Sequence, residues 1–287
     1  IDADVIVFNE IERDQDVKAL PEWLNDHVRS GIWQVHQGID TGDRTVIASY
    51  YPMTMLATNT IPQAWTGRGV TMALIDCPDS CWSTDLYLLG VHLKCCEDPG
   101  DEEDRQESAD AIANWLGDLR TVGGKIDLPQ DTPMVVLGDM NFYDEGDQPE
   151  LTILTGDIQN EDYYGPDIKG DWDGSDLIDP IPADPITGDT WTSWGWKSRP
   201  DRFMVTDSVL NIGNAYILNT TELPQDELDA NGLQEYDTAN IPTSTSDHLP
   251  VVVDFRDPDY CRADLNSDGI VNVSDLLIVI DNWGPCE

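Results

Sequence analysis

Short apolar runs in this sequence end abruptly in acidic, amide or imidazole side chains. Runs of this length and composition predict buried strands. Open α/β sheets place ligand chemistry at strand ends, so we expect these polar groups to meet at one edge of a sheet. The junctions are Asn9-Glu10, Gly90-Val91-His92-Leu93, Gly138-Asp139-Met140-Asn141 and Ser246-Asp247-His248-Leu249-Pro250.

Strand and helix signals recur along most of the chain. Strands are predicted at 4–10, 45–49, 69–75, 86–92, 134–137, 202–206, 211–218 and 249–255, the first as a buried parallel strand. Helices are predicted at 16–28 and 102–120, the second from its apolar stripe and its acidic first turn. The stretch 157–189, rich in Asp, Gly and Pro, predicts long surface loops. This pattern favours a layered α/β sandwich for residues 1–256.

The charge of the chain limits its partners. Fifteen Lys and Arg face 56 Asp and Glu, which gives a formal net charge of −41. Broad electrostatic attraction to nucleic acid requires a basic surface, so a polyanionic substrate would depend on metal ions and a local cationic patch. The acidity also suggests adaptation to saline conditions or to bound cations. No run approaches the ~20 apolar residues of a membrane span.

The even number of cysteines favours disulfides and an oxidising, extracellular location. Two alternatives stay open for the first four, namely a zinc site or buried, unreactive thiols. The six are Cys77, Cys81, Cys95, Cys96, Cys261 and Cys286.

Taken together and in order, the junctions resemble the endonuclease/exonuclease/phosphatase superfamily, which includes pancreatic-type DNases, abasic-site endonucleases, bacterial sphingomyelinases and inositol-phosphate phosphatases. The family pattern is (Q/N)-E, (T/G)-H-L, G-D-x-N, R-x-D-(Y/R) and S-D-H-x-P, and Arg199-Pro200-Asp201-Arg202 supplies the fourth motif. The resemblance covers residues 1 to about 255. It implies a four-layered α/β sandwich of two packed mixed β-sheets flanked by helices. The family also has an earlier strand with a metal-site Asn, which is not matched here, so we expect a fragment or a processed product.

The resemblance implies a divalent-metal site at the first and last junctions. Glu10 would bind Mg²⁺ or Mn²⁺, and Asp247 would be a second ligand, because hard cations prefer carboxylate oxygen. Asp139 would orient or deprotonate the attacking water, and Asn141 would donate a hydrogen bond to the phosphate. A loop-capping role for Asp247 is the structural alternative.

The resemblance assigns the two junction imidazoles to the phosphate. His248 would stabilise the transition state or transfer a proton, and Asp201 would orient it. His92 would contact the scissile phosphate or help the leaving group. As structural alternatives, Asp201 could pair with a neighbouring arginine, and His92 could be an ordinary strand-end histidine. The remaining two, His27 and His36, are interpreted as structural or surface residues.

Substrate contacts are less well defined. Four basic residues are candidates for a phosphate-holding patch, and ion pairs with the many acids explain them equally well. They are Arg105, Lys197, Arg199 and Arg202. The tryptophans of the stretch 190–196 could stack on a base or sugar, although burial is the more common reason for tryptophan.

The last residues, 257–287, form a separate unit with a calcium-loop pattern. Oxygen side chains occupy positions one, three, five, nine and twelve of the loop, Gly269 lies at the sharp turn, and Ile270 would offer its carbonyl. The unit resembles a single dockerin repeat, which implies Ca²⁺, a small helical unit and a cohesin-like partner, and Cys261 and Cys286 would staple it. An acidic, disordered C-terminus is the alternative. The predicted ligands are Asp264, Asn266, Asp268, Ile270, Asn272 and Asp275.

These observations predict a secreted, divalent-metal-dependent phosphodiesterase, with nuclease activity as the first hypothesis. A phosphatase of small phosphoesters or lipid headgroups is the second. The third is a non-catalytic, calcium-stabilised binding or structural protein on the same fold.

Overall fold

The computed structural model describes residues 3–38, 44–56, 70–79, 82–239 and 246–256, together with Val273. Its strands and helices alternate along the chain. In order they are β1 (Val5–Ile11), α1 (Asp14–His27), β2 (Gln34–Gln37), β3 (Arg44–Ser49), β4 (Met53–Met55), β5 (Val70–Ile75), β6 (Leu86–His92), α2 (Pro99–Arg120), β7 (Met134–Asp139), α3 (Gln148–Thr155), α4 (Glu161–Tyr164), β8 (Asp201–Val205), β9 (Asn211–Ile217), α5 (Gln225–Asn231) and β10 (Val251–Arg256).

Two β-layers pack face to face. One is a five-stranded sheet in the order β4-β5-β6-β7-β8, in which only β6 and β7 run parallel. The other contains the three-stranded sheet β1-β3-β2, which packs against β5, β6 and β7. The antiparallel pair of β9 and β10 forms a separate two-stranded sheet and contributes Phe255 to the same inter-sheet core.

Helices cover the outer faces of both layers. The α2 helix buries Ile112, Trp115 and Leu116 against the five-stranded sheet, where Trp115 Nε1 donates to Tyr87 Oη at 2.7 Å. On the opposite side, Leu24 of α1 packs with Trp33 and the three-stranded sheet. The predicted four-layered sandwich is therefore confirmed.

The differences from prediction are local. The first strand was expected to be parallel, but β1 pairs antiparallel with β3. Its apolar side chains face the other sheet layer, so an apolar run did not require a parallel sheet. Two short strands and three short helices were not predicted, since three to eight residues give little periodicity. These are β2, β4, α3, α4 and α5.

The predicted unit 257–287 lies outside the described residues, apart from the exposed Val273. Its calcium loop, its two cysteines and its cohesin-like partner therefore stay predictions. Among the described residues, no helix combines the length and apolar character that a membrane span requires.

Gly138, near the end of β7, has a backbone conformation that few other residues adopt. Its φ is +136°, and an added Cβ would lie 2.0 Å from the carbonyl oxygen of Val91. We expect Gly138→Ala to lower the free energy of unfolding by about 1–3 kcal/mol through backbone strain alone, with the collision adding to that loss. Urea denaturation measures it.

Gly100→Ala is the matched control, because no atom lies within 4 Å of its added Cβ in the first turn of α2. We expect that variant to unfold at or above the wild-type urea concentration. Equal midpoints for both variants would contradict the conformational requirement at Gly138.

Candidate active site

Three neighbouring strands bring a histidine and two aspartates into one row. His92 on β6 is directly opposite Asp139 on β7, and Asp139 is directly opposite Asp201 on β8. Strands β6 and β7 are parallel, so both end at this edge of the sheet. Strand β8 is antiparallel to β7, so it starts there. The sheet register therefore brings residues 109 positions apart in sequence, His92 and Asp201, to the same edge.

His248 reaches this row from the segment before β10. Its Nδ1 lies 2.9 Å from Asp201 Oδ2, and the same carboxylate oxygen accepts a hydrogen bond from Thr192 Oγ1 at 2.5 Å. A β-bridge between Ser193 and His248 holds the two loops together. Burial alone would lower the pKa of His248, but the hydrogen bond and charge of Asp201, with further acids nearby, outweigh it and raise the pKa to about 9.

Asp139 is the most buried carboxylate of the row. Burial, the charge of Asp201 and the charge of Glu10 raise its pKa to about 7, although His248 and the Asn141 backbone N–H act in the opposite direction. That N–H donates to Asp139 Oδ1 at 3.0 Å. A carboxylate with so high a pKa is a better proton acceptor at neutral pH than an ordinary aspartate.

Asn141 follows Asp139 in a tight turn. Its φ is +53°, in the left-handed region that asparagine tolerates better than most residues. Its Nδ2 donates to the carbonyl oxygen of Leu93 at 3.1 Å. A side-chain amide carries two N–H donors, so one remains for a phosphoryl oxygen.

Glu10 comes from the facing sheet layer, at the end of β1. Its Oε1 lies 3.7 Å from His92 Nε2, and Asp139 Oδ2 lies 3.4 Å from the same nitrogen. Glu10 is largely exposed and has a φ of +61°, whereas His92 is 1% exposed. The structure therefore places the buried His92 imidazole beside both carboxylates, and its contact with the scissile phosphate stays a prediction.

The acidic edge suits a divalent cation. Within the ranges that the structure describes, no three His, Cys, Asp or Glu side chains form a group that could hold a metal ion by themselves. Mg²⁺ needs only one or two protein carboxylates, with waters and substrate phosphate completing its shell. Burial is the main cause of the raised pKa of Asp139, and the charges of Asp201 and Glu10 raise it further, an effect that a bound cation would oppose. Glu10 and Asp247, the two carboxylates that the motifs predict as its ligands, are both exposed.

Two of the predicted phosphate-binding arginines form ion pairs with acidic side chains of the same chain. Arg199 pairs with Glu145 at 2.8 Å and with Asp179 at 2.6 Å. Arg202 pairs with the same two acids and with Glu150 at 2.8 Å. Both arginines are at least 95% buried and paired with acids, as the ion-pairing alternative describes, so the structure gives no support to a substrate patch at these two residues.

The other two basic candidates also have internal contacts. Arg105 is buried and donates from Nη1 to the carbonyls of Lys94 and Cys96, at 3.0 and 2.6 Å, so it holds a loop rather than a surface anion. Lys197 Nζ lies 3.2 Å from the ring centroid of Trp191 and 4.3 Å from that of Trp194. Of the four basic candidates, only Lys197 is exposed, so it alone places a cation at the surface, beside the two tryptophan rings.

Several contacting residues were not found from the sequence. Thr192 holds Asp201, while Glu145, Glu150 and Asp179 hold the two arginines. None of them lies in a recognisable motif, and their partners are far away in the chain. His27 stacks on Trp23, and His36 lies on β2, in agreement with structural roles.

Removing the charge of Asp201 should lower the pKa of His248. In Asp201→Asn we expect the His248 pKa to fall from about 9 toward the ordinary imidazole value of about 6.5. Because the folded-state pKa is raised, the pair stabilises the fold fully below about pH 6.5 and loses that effect as the pH rises through about 9. NMR titration of the imidazole measures the pKa, and urea denaturation at both pH extremes measures the stability.

Asp16→Asn is the control, because Asp16 is an exposed acid on α1 whose partner is Arg13. It should leave the His248 titration unchanged. A wild-type pKa for His248 at or below 6.5 would show that the Asp201 contact does not form in solution.

Comparison with solved structures identifies the fold. The catalytic domain of human Nocturnin with bound sulfate is 17% identical, with a TM-score of 0.54, over 88% of this chain and 80% of that one. The mannosyl-6-phosphatase Bt3783 of Bacteroides thetaiotaomicron is 14% identical, with a TM-score of 0.54, over 88% and 85%. An endonuclease/exonuclease/phosphatase protein of Beutenbergia cavernae is 17% identical, with a TM-score of 0.51, over 88% of this chain and 62% of its own length.

These similarities define an endonuclease/exonuclease/phosphatase fold, as the motifs predicted. No protein-family model and no curated protein matches the sequence. The fold is therefore established by structure, and the activity has to be inferred from the site.

Proposed function

We propose that this chain is a divalent-metal-dependent phosphoester hydrolase that cleaves phosphodiesters by direct attack of water. The observation that carries the proposal is the pairing of His248 with Asp201 beside the buried Asp139. An imidazole held by one carboxylate and near a second, buried carboxylate of raised pKa is suited to moving protons around a phosphoryl group. A mannosyl-6-phosphatase among the solved structures of this fold is compatible with phosphoester chemistry.

Each side chain then has a defined task. Asp139 accepts a proton from the attacking water and orients it. Asn141 donates its second amide hydrogen to a non-bridging oxygen. His248, protonated at neutral pH because of Asp201, donates a hydrogen bond to the phosphoryl group as negative charge develops. Glu10 and Asp247 would hold the divalent cation, which supplies charge neutralisation of the phosphoryl oxygens when bound.

A second candidate, a phosphatase of small phosphoesters, is favoured by one observation. Arg105, Arg199 and Arg202 contact internal carbonyls or carboxylates, so they do not form a basic track for a nucleic-acid backbone. With a net charge of −41, contact with a long polyanion would be repulsive outside the site. Secretion, the calcium-binding tail and its cohesin-like partner stay predictions from the sequence.

Hydrolysis of three substrates would test the proposal. They are plasmid DNA, a chromogenic phosphodiester and the matching phosphomonoester, each with Mg²⁺ or Mn²⁺ and with chelator. We expect metal-dependent hydrolysis that Asp139→Asn abolishes and that Asp162→Asn, an exposed residue on α4, leaves unchanged. Faster diester hydrolysis identifies a phosphodiesterase, and faster monoester hydrolysis identifies a phosphatase.

Two results would contradict the proposal. One is turnover that is insensitive to both chelator and Asp139→Asn. The other is lack of turnover of all three substrates by folded protein at millimolar metal, which would favour the non-catalytic hypothesis.

A further inference from the structure

Two consecutive cysteines follow the end of β6. The Sγ atoms of Cys95 and Cys96 lie 2.7 Å apart, with the Cys96 thiol donating to the Cys95 sulfur. Cys96 is exposed and Cys95 is partly exposed. Small oxidants and reductants can therefore reach the pair.

The backbone is bent so that the two thiols meet. In an extended chain, consecutive side chains point to opposite sides. Cys96 instead has a φ of +83°, an unusual conformation for a residue with a Cβ, which places its side chain next to that of Cys95.

Neighbouring side chains hold this bend. The backbone N–H of Cys96 donates to Tyr143 Oη at 2.7 Å, and the Cys96 carbonyl accepts from Arg105 Nη1 at 2.6 Å. The Arg105 guanidinium also lies 5.2 Å from the centroid of the Tyr143 ring. The strained turn is thus fixed by two side chains, Tyr143 and Arg105, which also contact each other, and a fixed strained turn indicates a function for the thiols it brings together.

The alternatives left open by the sequence are less well supported. A zinc site would need further ligands, and the described residues contain no group of three His, Cys, Asp or Glu that could hold a metal ion. Cys77 is 5% exposed in the inter-sheet core, and burial raises its thiol pKa to about 12, as expected of an unreactive thiol. The adjacent pair therefore differs from Cys77 in both exposure and geometry.

We propose that Cys95 and Cys96 are a redox-active dithiol that closes reversibly to a disulfide between adjacent residues. The oxidant is a small-molecule disulfide such as oxidised glutathione. The Cys95 thiolate attacks one oxidant sulfur and releases a thiolate, which leaves a mixed disulfide on Cys95. Cys96 then loses its proton and attacks the Cys95 sulfur, releasing the second thiolate. The pair loses two electrons and two protons, and the oxidant becomes two thiols.

The ring that forms is expected to open easily. Adjacent Cα atoms are ~3.8 Å apart, whereas most disulfides join Cα atoms ~4.4–6.8 Å apart. A bond formed outside that range is strained, and strained, exposed disulfides have the more oxidising potentials of labile pairs. The pair is therefore a reversible modification site and not a structural staple. This chemistry does not depend on the proposed hydrolase activity.

Peptide mapping of the whole chain tests the proposal. The protein is incubated with excess oxidised glutathione, alkylated, digested and analysed by mass spectrometry. We expect one peptide that contains both cysteines, lacks two hydrogens and carries no glutathione. Reduced glutathione should then return both residues to a form that can be alkylated.

Two single variants make the result specific. Cys96→Ser should retain glutathione on Cys95, because no second thiol displaces it, and Cys77→Ser should close as the wild type does. Far-UV circular dichroism confirms that each is folded. The proposal is overturned by full alkylation of both residues after oxidation, by a stable glutathione adduct in the wild type, by a disulfide from either residue to Cys81, Cys261 or Cys286, or by a bond that reduced glutathione leaves intact.

Discussion

Replacing His248 with alanine should lower kcat by ~10²–10⁴-fold, the usual contribution of a positioned proton-transfer group. The imidazole is held 2.9 Å from Asp201 and is charged at neutral pH because of that contact. Loss of the imidazole removes the cationic hydrogen-bond donor to the phosphoryl group. It also leaves Asp201 and Asp139 without the neighbouring positive charge. KM should change much less, since the interaction strengthens as charge develops in the transition state.

His27→Ala is the matched control, because His27 is an exposed histidine on α1 that stacks on Trp23. Steady-state kinetics on the best substrate from the hydrolysis assay, at saturating metal, provide the measurement. An equal, small effect of both substitutions would refute the role of His248, and an effect confined to KM would reassign it to substrate binding.

Replacing Arg202 with methionine should lower the free energy of unfolding by about 3–5 kcal/mol, the usual cost of leaving a buried charge without its partner. Two guanidiniums and three carboxylates form this network, so it already carries one uncompensated negative charge. Without Arg202, only Arg199 remains, and Glu150, whose side chain is 4% exposed, loses its cation. Methionine keeps most of the side-chain volume, so the loss reports charge more than packing.

Arg13→Met is the control for charge removal at the surface. Arg13 pairs with Asp16 within the exposed start of α1, where such pairs contribute at most about 1 kcal/mol. Urea denaturation of both variants measures the difference. An Arg202→Met protein as stable as Arg13→Met would show that the buried network is not coupled to folding.

The local sequence predicted the candidate site better than it predicted the surroundings of that site. Asp139, Asp201 and His248 were identified because each follows or begins an apolar strand and matches a motif, and the structure brings all three together. Neither the Thr192 contact nor the burial of His92 had a sequence signal. The first depends on a loop that returns to the sheet edge, and His92 lies against Glu10 of the facing layer and Asp139 of the neighbouring strand.

The two arginines beside Asp201 show where local reasoning fails. From the sequence, Arg199 and Arg202 are basic residues close to a catalytic motif, and a phosphate-binding patch and ion pairs with acids explained them equally well. In the structure their partners lie 20 to 57 residues away in the chain, on the loop after β7, on α3 and before β8. No periodicity records such a pairing, because an ion pair depends on the position of two groups in space and not on their spacing in the sequence.

The sequence by itself determined the eight longer strands and the polar junctions at their ends, but not the short strands β2 and β4. These properties follow from apolar periodicity and from side-chain type, both of which are local. The tertiary structure alone decided the row of His92, Asp139 and Asp201, the raised pKa of Asp139, and the contact between the sulfurs of Cys95 and Cys96. These depend on sheet register, on burial and on a single backbone angle, which arise only when distant parts of the chain pack together.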